Sequence, residues 1–252
     1  MLAALVLADT SGSGPYYTAQ SIANSAAGVA GLYAPNTFVT IYGQNLAYTT
    51  ASLTASDVAG GVLPTVLGGT GVHVLINNVP ANIYYVSPTQ VNLLIPTSLI
   101  AGPAMLQLVV DGLAGPAIPI VLLDAAPGFF QSDATTILGV HLNGSVISVA
   151  SPAKAGEIVV LFASGLGPTN PAAIPDQIPQ AAASVTPLSS FSMLINGVPV
   201  NPQQILYAGV VPTFAGLFQI NVQLPGTLPP NPQMQIGYAG TYSPAGRVLP
   251  VQ

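Results

Sequence analysis

The chain has 252 residues, half of them hydrophobic, yet only 4% are charged: two basic side chains against seven acidic ones, a net charge of −5. Two basic residues, Lys154 and Arg247, cannot neutralise a phosphate track or hold an anionic membrane surface, which excludes nucleic acid and polybasic lipid contacts as partners. Cysteine is absent, which excludes disulfides, thiolate catalysis and zinc–cysteine sites.

Met1 to Ala8, MLAALVLA, reads as a β-strand apolar on both faces. Its end resembles a signal-peptide cleavage region, but the basic n-region and the long apolar core of a leader are missing. Residues 9–15 form a Gly/Ser linker by composition. Tyr16 to Gly31 is Ala- and Ser-rich and fits either a first strand or a short helix. Phe38–Tyr42 is a strand, followed by a long polar, Gly-rich connection to Leu67. Further strands are expected at Val72–Ile76, Ile83–Val86, Val91–Ile95, Ala104–Val110 and Ile118–Leu123. Asn77-Asn78 is a tight turn between the first two. Residues 131–151 read as a connector. The second half predicts strands at Ile158–Phe162, Phe191–Ile195, Ile205–Tyr207, Phe218–Leu224, Met234–Tyr238 and Arg247–Val251, with a Pro- and Ala-rich surface loop over 167–187. No apolar run reaches the roughly 18 to 20 residues of a membrane-spanning helix.

The two halves repeat one another. Leu75-Ile76-Asn77 with Val79-Pro80 returns as Leu194-Ile195-Asn196 with Val198-Pro199. Tyr85 returns as Tyr207, and Gln90-Val91-Asn92 as Gln219-Ile220-Asn221. Thr37 to Ala47 aligns with Glu157 to Gly167. A tandem duplication of a unit of roughly 100 residues follows. Short strands closed by Gly and Pro, without useful helical periodicity, make the chain all-β: two tandem immunoglobulin-like antiparallel β-sandwich domains preceded by an apolar N-terminal strand. The expected boundaries are 1–15 for strand and linker, 16–130 for the first sandwich, 131–151 for the connector and 152–252 for the second sandwich.

The motifs at Val39–Leu46, Gly71–Ala81, Tyr85–Asn92 and Ala126–Phe130, with their counterparts at Leu161–Leu166, Ile195–Val200 and Gly216–Pro225, resemble a C-terminal domain family of large secreted acidobacterial proteins. The resemblance spans about residues 21–252. Each unit also resembles immunoglobulin-like domains of the IPT/TIG kind. The family carries no established activity, so the resemblance implies a secreted β-sandwich and transfers no functional residue.

Little in the sequence points to catalysis. His73 and His141 are the only histidines, and nothing in the sequence pairs them. The carboxylates are dispersed, and no pair has metal-loop spacing. Gly-x-Ser-x-Gly is missing, and Gly68 to Gly71 lacks the lysine of a phosphate loop. The chain therefore reads as a non-enzyme, with no cofactor and no metal expected. The repeated residues Asn77, Pro80, Gln90, Asn92, Asn196, Pro199, Gln219 and Asn221 read as a structural motif; the amides of Gln90/Asn92 and Gln219/Asn221 either recognise a polar ligand or, the favoured reading, bond neighbouring loop backbone. The ten tyrosines suit half-buried strand positions better than a sugar platform. Two functions compete. One is a subunit of a homopolymeric extracellular filament or surface assembly, in which Met1–Ala8, anchored by Leu2, Leu5, Val6 and Leu7, adds as a strand to the next copy, the other placement for that strand being within its own first domain. The alternative is a secreted adhesin or carbohydrate-binding module with an extracellular glycan as partner.

Overall fold

The computed structural model describes residues 14–252. The expected strand Met1–Ala8, with its anchors Leu2, Leu5, Val6 and Leu7, lies outside the described residues. Within them the chain is all-β, with short 3-10 turns and no α-helix. The first sandwich contains β1 (Ile22–Asn24), β2 (Phe38–Tyr42), β3 (Ala51–Ser52), β4 (Val72–Ile76), β5 (Val79–Pro80), β6 (Asn82–Ser87), β7 (Gln90–Leu94), β8 (Gly102–Val110), β9 (Leu113–Ala114) and β10 (Ile118–Leu122). One sheet runs β1-β2-β7-β6-β3; the other runs β10-β8-β4-β5, with β9 folding back on β8. The undecided stretch after Tyr16 is a 3-10 turn, Ala19–Ser21, leading into β1.

The second sandwich contains β11 (Gly128–Phe129), β12 (Gly139–His141), β13 (Ile158–Ser164), β14 (Thr169–Asn170), β15 (Ala183–Val185), β16 (Phe191–Ile195), β17 (Val198–Pro199), β18 (Ile205–Val210), β19 (Phe218–Gln223), β20 (Met234–Tyr238) and β21 (Thr241–Tyr242). Its sheets run β11-β13-β19-β18-β15-β14, with β12 also on β13, and β17-β16-β20-β21. The order β11-β13-β19-β18-β15 repeats β1-β2-β7-β6-β3, and β17-β16-β20 repeats β5-β4-β8, as the sequence repeat predicts.

Alternation sets the layers. Val39 and Ile41 of β2 and Val91 and Leu93 of β7 face Val72, Val74 and Ile76 of β4, all fully buried. Val159, Leu161, Ile220 and Val222 do the same in the second unit. Both hairpin turns form as expected: Asn77 and Asn78 have φ of 49° and 63°, and Asn196 and Gly197 have 51° and 78°. Asn and Gly tolerate this left-handed backbone, which matches the twist of the flanking strands. The Asn77 side-chain oxygen then accepts the Met105 amide at 2.8 Å, and Asn196 accepts that of Gln233 at 2.8 Å. Pro80 and Pro199 sit in β5 and β17, the outer strands of their sheets, where a missing N–H costs no ladder bond.

Two expectations are corrected. The first sandwich does not run to residue 130, nor is 131–151 a free connector, because β11 and β12 pair with β13. The long apolar strand β13 has an edge that needs pairing, and the segment after Pro127 supplies it as β1 does for β2. Arg247–Val251 forms only isolated bridges, Val248 to Thr136 and Gln233 and Val251 to Ala153. Pro250, within that run, brings no amide donor.

The two units are welded together. Asn24, fully buried, donates to Leu32 O and Ala126 O at 3.0 Å each, and its oxygen accepts the Ala26 and Ala27 amides at 3.0 and 2.9 Å. Ala126 in turn donates to Gly165 O. Gly165 has φ +74°, and a Cβ there would lie 2.1 Å from Ala126 O, so only glycine fits. The Ser164 hydroxyl accepts the Phe38 amide at 3.2 Å and donates to Gly216 O at 3.0 Å. The Phe38 ring stands edge-on to Tyr84 and Phe130. The Pro/Ala-rich stretch is more than a surface loop: Leu63 donates to Asp176 O at 2.7 Å and Ile178 to Gly61 O at 2.9 Å, a backbone clasp across the joint.

Replacing Asn24 with Ala takes the partner from two carbonyls, of which that of Ala126 is fully buried, and from two buried amides, at about 1 kcal/mol or more for each buried group. The expected result is a loss of about 3 kcal/mol in urea unfolding, with new protease cleavage in the 123–131 segment. An unchanged unfolding midpoint would mean that the joint does not depend on this amide.

Candidate binding faces

The repeated Gln-x-Asn residues lie on the outward face of the central strand in each large sheet. In β7, Gln90 stands opposite Tyr42 of β2, and Asn92 stands opposite Tyr85 of β6. In β19, Gln219 stands opposite Phe162 of β13, and Asn221 opposite Tyr207 of β18. Each unit therefore carries the same four-residue rectangle: an aromatic beside the Gln and a Tyr beside the Asn. Directly opposed residues on one sheet face have Cβ atoms about 5 Å apart, so each rectangle gathers its four side chains on one face.

A β-bulge makes this possible. The β6–β7 register shifts between Ile83 and Tyr85, and the β18–β19 register shifts between Ile205 and Tyr207. One residue is skipped in each, which turns the following Tyr to the Asn side of the sheet. Asn92 and Asn221 sit two residues from their Gln partners, on the same face.

The expectation that these amides bond loop backbone is corrected. Gln90 Nε2 donates to Asn92 Oδ1 at 2.8 Å, and Gln219 Nε2 donates to Asn221 Oδ1 at 2.7 Å. Residues two apart on a strand meet before either reaches a loop. The pair leaves the Gln oxygen and the Asn amide hydrogens turned outward without a bond among the described residues. Tyr42 is 50% exposed; Tyr16, which bridges Gln44 just beyond β2, and Tyr48 are also exposed. The Tyr207 hydroxyl is tied down, donating to Val210 O at 2.8 Å. Its ring covers Gly209, where a Cβ would lie 2.5 Å from the hydroxyl. No acidic or basic side chain belongs to either rectangle.

Several concavities lie elsewhere among the described residues, two of them apolar-walled. A cavity of about 170 Å³ sits at the joint, walled by Leu63, Leu94, Ile174 and Ala215. A groove of about 620 Å³ follows β10, lined by Tyr33, Met105, Pro119, Ile120 and Val121.

The structure also makes a pairing that sequence reading missed. His141 on β12 and Glu157 at the start of β13 bond through Nδ1 and Oε1 at 2.5 Å, and Lys154 N donates to Glu157 Oε2 at 2.8 Å. His141 Nε2 lies 3.2 Å from Ser151 O. The signal available was the β12–β13 pairing itself, concealed by reading 131–151 as a connector. His73 is exposed on β4. Among the described residues no three His, Asp or Glu side chains are placed to hold a metal ion. None of the helical turns is long and apolar enough to cross a membrane.

No family model matches the chain, and no curated protein matches its sequence. Among solved structures, it is similar to SGBP-B of the mixed-linkage glucan utilization locus of Bacteroides ovatus, solved with a mixed-linkage heptasaccharide. That likeness has 15% identity and a TM-score of 0.35, and covers 94% of this chain but 43% of that one. Domains 5–6 of the S-layer protein SbsC are similar at 6% identity and a TM-score of 0.27, covering 94% and 98%. The Ig1-2 module of the Drosophila receptor tyrosine phosphatase DLAR is similar at 9% identity and a TM-score of 0.23, covering 95% and 96%. Likeness at this level assigns no function.

The His141–Glu157 pair sets a pH window. The His141 pKa is raised, first by its bond to Glu157, so this stabilisation is complete below about pH 6.5 and fades as pH rises through the folded value. Burial pushes the Glu157 pKa up, but the bonds from His141 and the Lys154 amide outweigh it and leave it lowered. That contribution is complete above about pH 4.3 and is lost as pH falls. Wild type should exceed His141→Gln by about 0.5 kcal/mol between those limits, and the gap should shrink as pH rises above about 6.5, measured by urea midpoints across pH. A gap that grows with pH would contradict the pairing.

Proposed function

We propose that the chain is an extracellular, non-enzymatic surface module that binds a neutral polymer. The observation that carries this reading is the recurrence of an uncharged aromatic–amide rectangle on the outward face of both sandwiches, held in fixed relation by the buried joint. A surface with so few charges offers ions and polyelectrolytes almost nothing, so the partner is matched by hydroxyls, amides and apolar faces. The motif resemblance to domains of secreted acidobacterial proteins agrees with an extracellular setting. The test is co-sedimentation with insoluble cell-envelope polymer stripped of protein and lipid. Retention that survives about 1 M salt, where the Debye length is about 3 Å, is expected. No retention, or retention that salt abolishes, overturns the reading.

The β10 groove favours a second reading, in which Met1–Ala8 of a neighbouring copy adds as a strand along β10 and joins subunits head to tail into an extracellular filament. Among the described residues, the 3-10 turn Ala19–Ser21 and the Tyr33–Leu122 bridge lie beside β10, and Val121 and Met105 expose apolar surface there. Pro119 removes one donor from that edge, so side chains such as Leu2, Leu5, Val6 and Leu7 would supply most of the affinity. Negative-stain microscopy of the full chain beside a variant lacking residues 1–8 tests this. Filaments only with the segment present support it; filaments in both, or in neither, overturn it.

A further inference from the structure

We infer that the two rectangles, Tyr42/Gln90/Asn92/Tyr85 and Phe162/Gln219/Asn221/Tyr207, are paired subsites for a neutral polysaccharide. This rests on the reading of the chain as a neutral-polymer module, and it names the site and the ligand chemistry.

The backbone of each rectangle rules out a peptide recognised by strand addition. β7 is flanked by β2 and β6, and β19 by β13 and β18, so both central strands have their ladder groups engaged on either side. Recognition must come from side chains alone. An amide side chain presents a donor and an acceptor side by side, the pattern that neighbouring sugar hydroxyls complement. In each rectangle the Gln-to-Asn bond uses one hydrogen of the Gln amide and one lone pair of the Asn oxygen. It also fixes both planes, so the outward groups are held ready at reduced entropic cost. The aromatic beside the Gln offers a flat apolar surface to the C–H face of a pyranose ring.

Charge selects among polymers. The rectangles carry no ionised group, and the whole chain has two basic side chains. Sulfated or uronic-acid polymers find no counter-charge there. Two subsites on one rigid chain suit a repeating ligand, because occupying one raises the effective concentration at the other. The first-unit subsite is the more open: Tyr42 is half exposed, whereas its counterpart Phe162 is partly buried.

The test is affinity electrophoresis of the full chain in native gels containing laminarin, galactomannan or hydroxyethyl cellulose, with alginate as the anionic control. At least one neutral polymer should retard the wild type, and alginate should not. Tyr42→Ala and Gln90→Ala should each weaken the apparent Kd for that polymer by tenfold or more. Gln219→Ala should weaken it less. Thermal melts establish that each variant is folded, and Tyr42→Ser, at the same exposed position, stands in should Tyr42→Ala fail to fold. Wild-type retardation that Tyr42 and Gln90 substitutions leave unchanged would overturn the subsites while leaving the polymer-binding reading intact. No retardation in any neutral polymer, or equal retardation in alginate, would overturn the ligand class. Envelope co-sedimentation in that case shows whether the broader reading falls with it.

Discussion

The arrangement depends on one fully satisfied buried amide. Asn24 uses both amide hydrogens and both oxygen lone pairs, tying the end of β1 to the Ala126 carbonyl at the start of the second sandwich. A half-satisfied amide in that position would destabilise the joint more than an apolar side chain would. With all four bonds made, the chain turns from one sandwich into the next over a few ordered residues. Domains joined by a bare linker move independently by default. Here Gly165, Ser164 and the Leu63–Asp176 clasp close the same junction from the second unit, so the outward faces keep a fixed spacing.

What was legible in the sequence was whatever a local backbone rule dictates. The Asn77-Asn78 and Asn196-Gly197 turns follow from which residues tolerate positive φ. Pro80 and Pro199 mark outer strands because a proline interrupts an inner ladder. The duplication was legible because these rules recur in the same order. Three features were not. The bulges before Tyr85 and Tyr207 leave no composition signal, since the skipped residues, Tyr84 and Leu206, are ordinary strand formers. The β11 and β12 pairings are short, and their partner edge appears only when β13 is placed. The joint is built by loops whose polar residues look like any turn.

The bulge has a consequence for the Gln-x-Asn motif. Side chains alternate across a strand, so a one-residue slip moves a side chain to the other face. Without the slip, Tyr84 and Leu206 would stand opposite the Asn residues, and the Tyr rings would point into cores already filled by Val91, Leu93, Ile220 and Val222. The bulge therefore brings Tyr beside Asn while the Gln-x-Asn spacing keeps both amides on that same face. A core-filling motif would keep its apolar residues and leave the outward positions free to vary. Both units instead retain the outward Gln, Asn and Tyr, an aromatic beside the Gln, and the same amide-to-amide bond. Amide pairing alone requires no aromatic neighbours, and the rings differ in what else holds them: Tyr207 bonds Val210 O and covers Gly209, a role in the sheet itself, whereas the Tyr42 ring is half exposed.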